Sequence, residues 1–81
     1  MTARYTERFL RGYRDAPPVV RKAFQKQVRL LLHNLQHPSL RAKKYDPSRD
    51  IWQARVNRNW RFYFLIQGDS YVLLDIMAHP E

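Results

Sequence analysis

The sequence predicts an α+β domain in which two helices pack on one face of a twisted, mainly antiparallel sheet. Two observations carry that prediction. Apolar residues recur at helical spacing through the first 35 positions, and from about residue 40 the apolar period changes to two. Proline and glycine punctuate the segments at "APP", "HPSL", "DPSRD" and "QGDS".

The elements follow in order. In "TERFLRGYRD", Thr6 is a candidate N-cap, and Phe9, Leu10 and Tyr13 fall on one helical face. Pro17 and Pro18 suit the first turn of a second helix. Along it Val20, Phe24, Val28, Leu31 and Leu35 form an apolar stripe, and Pro38 is expected to end it. "SLRAKKY" reads as a strand and "DPSRD" as a turn. "IWQARVN" alternates, with Trp52, Ala54 and Val56 on one face and Gln53, Arg55 and Asn57 on the other. "WRFYFLI" sets Trp60, Phe62, Phe64 and Ile66 against Arg61, Tyr63 and Leu65. A hairpin turn at Gly68 and Asp69 leads into "YVLLDIMAH". There Val72, Leu74 and Ile76 are expected on one face, and Leu73, Asp75, Met77 and His79 on the other. With no repeat or linker, residues 1–81 read as one domain.

Composition narrows the function classes. There is no cysteine, so disulfides and thiolate metal sites are excluded, and a reducing compartment fits. No apolar run approaches the roughly 20 residues of a membrane span, and the first ten residues lack a signal-peptide core. A soluble, cytoplasmic protein is expected. Fifteen Lys and Arg against seven Asp and Glu give a net charge of +8. No acid occurs between Asp15 and Asp46, where Arg21, Lys22, Lys26, Arg29, Arg41, Lys43 and Lys44 fall. Such a balance points to a polyanionic partner, nucleic acid or ribosome foremost.

The period-two rule also places the strand cations. If Trp60, Phe62 and Phe64 face the helices, Arg61 and Tyr63 face away, and Arg55 and His79 join them. Neighbouring strands lie roughly 4.8 Å apart, so side chains from three of them can converge on one phosphate. Other residues have plainer readings. His33 and His37 stand four apart, a spacing that can bind zinc, but without a third ligand they read as a solvated pair at a helix end. Trp52 and Trp60 read as core. Lys43 and Lys44 can equally protect a strand edge.

The run "HPSLRAKKYDPSRDIWQARVNRNWRFYFLIQGDSYVLLDIMAH" resembles the toxins of bacterial RelE/ParE-type toxin–antitoxin modules. The shared pattern is a helix ending near "HPSLR", a "WQAR" strand, a "WRFYF" strand, a "GD" hairpin and a last strand closing on His. The resemblance implies a ribosome-dependent mRNA endonuclease that works without metal or cofactor, bound and inhibited by a cognate antitoxin. It implies that Arg61 stands against the scissile phosphate, that Arg55 is a second strand cation, and that His79 acts near the leaving oxygen. Arg41, Lys43 and Lys44 would then hold the RNA or ribosomal RNA backbone, and Tyr63 would stack a base. Gln53 departs from the pattern, because many relatives carry a cation there. Two alternatives remain open: a ParE-like DNA gyrase inhibitor, and a non-catalytic module that binds RNA or antitoxin.

Overall fold

In a computed structural model, which describes residues 1–79, the chain opens with a short strand β1 (Thr2–Tyr5). Two helices follow, α1 (Glu7–Asp15) and α2 (Pro18–His33), and then β2 (Lys43–Asp46), β3 (Ile51–Asn57), β4 (Trp60–Gln67) and β5 (Ser70–Ala78). Single 3₁₀ turns at Pro38–Leu40 and Pro47–Arg49 flank β2. The sheet order is β1-β5-β4-β3-β2. Every pair is antiparallel except β1 with β5.

Local chemistry sets the helix limits. Thr6 caps α1, its Oγ1 accepting from Phe9 N at 3.1 Å and donating to Leu73 O at 2.9 Å, so one hydroxyl both starts the helix and ties it to β5. Pro18 occupies the first position of α2, where a missing N–H costs nothing. The helix ends at His33, earlier than Pro38 suggests, because Asn34 turns to extended backbone while its N–H closes the last turn on Leu30 O at 2.8 Å. Leu35 therefore lies past the helix, although it still packs against the core.

α1 lies on β5 and α2 on β3, so both helices cover the same sheet face. Between the layers Phe9, Phe24, Phe62, Phe64 and Tyr71 form a chain of ring contacts, with centroids 5.0 to 5.8 Å apart. Ala16, Val20, Val28, Leu31, Leu40, Ala54, Val56, Leu73 and Ile76 complete the buried cluster. Trp52 and Trp60 are partly buried against it, as expected.

Two irregularities decide which side chains face which way. In β5, Tyr63 pairs with Asp75 but Phe64 pairs with Leu73, leaving Leu74 as an extra residue. A bulge reverses side-chain alternation on either side of itself. Tyr71 and Leu73 therefore point into the core (6% and 0% exposed), while Val72 and Leu74 stay half-buried, the reverse of the alternation expected there. Past the bulge Ile76 is buried, and Asp75 and Met77 take the opposite face. The second irregularity lies in β3, where Arg55 pairs with Arg61 but Asn57 with Trp60. β1 was not anticipated from the sequence, since four residues with only Ala3 partly covered carry no alternation signal.

Candidate functional site

The open face of the sheet holds the cations. Arg55 on β3 and Arg61 on β4 are direct cross-strand partners, a juxtaposition of like charges that ordinarily destabilises a sheet. A shared acceptor relieves it. The carbonyl of Asn57 accepts from Arg55 Nε at 3.2 Å and from Arg61 Nη1 at 2.8 Å. Arg61 Nη1 also donates to Trp60 O at 3.0 Å. The irregularity after Arg55 turns the Asn57 carbonyl towards both guanidinium groups.

That hairpin also fixes the end of β5. Asn57 Oδ1 accepts from Asn59 N at 2.9 Å, and Asn59 O accepts from His79 N at 2.7 Å. One four-residue turn thus orients both arginines and anchors the backbone that carries the histidine.

Arg41, Lys43, Gln53, Arg55, Arg61 and His79 line a single cavity of about 250 Å³. The first lies in the segment before β2, His79 directly follows β5, and the others stand on β2, β3 and β4. Among the described residues no carboxylate lines this space. Each guanidinium carries five N–H donors in a planar fork, and Arg55 directs its Nε to the Asn57 carbonyl. The chemistry available is the binding of a phosphate group by several charge-assisted hydrogen bonds, with an imidazole within the same space.

Arg41 reaches the cavity from a left-handed backbone conformation (φ 47°, ψ 43°) at the end of the first 3₁₀ turn. Gln27 of α2 holds that turn in place. Its Nε2 donates to Arg55 O at 2.8 Å and to Ser39 O at 3.1 Å, and its Oε1 accepts from Ser39 Oγ at 3.4 Å. At 5% exposure, this side chain joins α2, β3 and the segment carrying Arg41. The sequence offered one signal for it, a polar residue set among Phe24, Val28 and Leu31 on a buried helical face.

Two of the residues named from the sequence lie elsewhere. Lys44 does not line the cavity. Its Nζ sits 2.7 Å from Asp50 Oδ1 and 5.3 Å from the centroid of the Trp52 ring, because alternation along β2 sends it opposite to Lys43. Tyr63 shares the open face but is 9% exposed, edge-on to Tyr45 with ring centroids 4.9 Å apart. Burial, aided by the Tyr45 hydroxyl, raises the pKa of the Tyr63 phenol. Tyr63 belongs to a neighbouring space of about 470 Å³ that includes Tyr45, Ile51 and Met77. There Tyr45 is the accessible aromatic, at 58% exposure.

His33 and His37 form no pair on a helix. His33 closes α2, and His37 caps the 3₁₀ turn, its Nδ1 accepting from Ser39 N at 3.2 Å. Among the described residues no group of three or more potential ligands could hold a metal ion, and no helix is long and apolar enough to cross a membrane.

No protein-family model matches the sequence, and no curated protein sequence matches it either. Solved structures do match in shape. The archaeal RelE–RelB complex from Pyrococcus horikoshii OT3 superposes with a TM-score of 0.80 at 10% identity, over 99% of this chain and 96% of that one. The YoeB/ParE toxin from Agrobacterium tumefaciens gives 0.79 at 11% identity, over 99% and 100%. The isolated E. coli RelE toxin gives 0.77 at 14% identity, over 99% and 85%.

Proposed function

We propose that this chain, which has the α+β fold of the RelE-type toxins, is itself the toxin of a toxin–antitoxin pair and cleaves mRNA on the ribosome. The observation that carries the reading is the sheet cavity, where Arg55, Arg61 and His79 face one space with Arg41 and Lys43.

A phosphodiester in that cavity meets the two guanidinium groups that Asn57 aligns. When the 2′-hydroxyl of the preceding ribose attacks the phosphorus, charge accumulates on the phosphoryl oxygens, where preorganised donors lower the barrier most. The bond to the 5′-oxygen breaks, and protonated His79 gives that oxygen its proton. The proton of the attacking hydroxyl must go elsewhere. Gln53 is a neutral amide and cannot take it, and among the described residues no carboxylate lines the cavity. It passes to water or to a group of the ribosome.

Partner binding follows from the same charge. Several of the similar structures are antitoxin–toxin complexes, among them those from Methanococcus jannaschii, Pyrococcus horikoshii and E. coli. An acidic antitoxin segment would neutralise a face of this kind on a chain of net charge +8.

The test is mRNA cleavage on purified ribosomes. Arg61→Ala is expected to reduce the rate by about 10²- to 10³-fold, the loss typical of removing one preorganised charge-stabilising donor. His79→Ala should also slow it, with circular dichroism unchanged for both. Wild-type rates in both folded variants, or intact mRNA alongside blocked DNA gyrase, would reject the reading.

A further inference from the structure

The sheet cavity does not end at its rim. Arg41 and Arg55 also line a second and larger space of about 680 Å³, a groove between α2, the first 3₁₀ turn and the β3–β4 hairpin. Its further polar lining includes Lys26 and Gln27 of α2, Ser39, and Arg58 of the hairpin. The two spaces therefore meet across the end of β3, with Arg41 and Arg55 standing between them.

Three features define what could lie in this groove. Among the described residues no carboxylate lines it, and none can come from α2 or the turn, because residues 16–45 contain no acid. The ion pairs formed by Arg8, Arg11, Lys44 and Arg49 all lie away from it, and neither Lys26 nor Arg41 has an acidic partner among the described residues. Its apolar lining is confined to Ala23, Pro38 and the buried Val56, so a peptide with large apolar anchors finds no pocket for them. A groove whose described lining sets cations at intervals, with no carboxylate and no large apolar pocket, suits a phosphate backbone better than an acidic protein segment.

We propose that this groove is the continuation of the RNA track. A single strand whose scissile phosphate lies between Arg55 and Arg61 crosses the rim between Arg41 and Arg55. Its next phosphates then lie against Lys26 and Arg58. The proposal rests on the reading of the sheet cavity as the scissile-phosphate site. Gln27, whose amide is bound to Arg55 O and Ser39 O, forms the fixed floor at the crossing.

The experiment is fluorescence anisotropy with uncleavable 2′-O-methyl oligonucleotides of two, four and eight residues, read at several salt concentrations. Wild-type affinity should rise with length. Lys26→Gln combined with Arg58→Gln should lower octanucleotide affinity about tenfold at low salt, reduce the salt slope by roughly 1.4, and leave the dinucleotide unchanged. Equal losses at every length, or none, would overturn the groove. So would an acidic poly-glutamate peptide whose binding depends on Lys26 and Arg58 more strongly than the octanucleotide does. Arg61→Ala separates the two ideas: if it leaves dinucleotide affinity at the wild-type value, the reading of the sheet cavity is what fails.

Discussion

Arg55 and Arg61 show how single residues can be legible in a sequence while their geometry is not. Alternation along β3 and β4 put both on the open face, because period two leaves no other choice once Phe62 and Phe64 are buried. Nothing in the sequence indicated that one backbone carbonyl, Asn57 O, would bind both guanidinium groups. Gln27 was equally hidden, since its partners are Ser39 O and Arg55 O, carbonyls 12 and 28 positions away. The replacement Gln27→Leu keeps the volume but leaves those two acceptors without their donor in a part-buried site. A destabilisation of about 1 to 3 kcal/mol is expected, read as a lower urea midpoint at unchanged m-value. An unchanged midpoint would mean that water replaces the amide without loss.

Among the elements, α1, α2, β3 and β4 followed from periodicity and capping, whereas β1 and the inward face of β5 did not. β1 pairs in parallel with β5, some 68 positions later in the chain, and a non-local pairing of four residues leaves no local mark. The β5 alternation failed at Leu74 because a bulge is a property of the strand pair and not of either strand alone. The docking of α1 on that irregular strand explains Gly12. A Cβ there would stand 3.1 Å from Ile76 O and 3.3 Å from Ile76 Cγ2. The carbonyl belongs to a strand held in the sheet and cannot readily move aside. Gly12→Val should therefore force α1 away from β5 and cost about 1 to 3 kcal/mol, again measured by urea unfolding. A variant as stable as the wild type would show that the helix can shift without loss.

For the molecule as a whole, charge and fold divide the labour. The buried aromatic chain fixes a rigid layer, and that layer leaves one face free for cations from several strands. The net charge of +8 was visible from composition, and so was its polyanionic implication. Its distribution was only partly visible: Lys43 joined the cavity, while Lys44 turned to Asp50 and Trp52, and Tyr63 was covered by Tyr45. The central claim is that the paired arginines and His79 act on a phosphate of mRNA. Mapping RNA 5′ ends in cells after induction tests it most directly, comparing the wild type with Arg61→Ala. New ends within translated messages that vanish in the folded variant are the predicted result. Growth arrest that persists in Arg61→Ala, with messages intact in both strains, would contradict it.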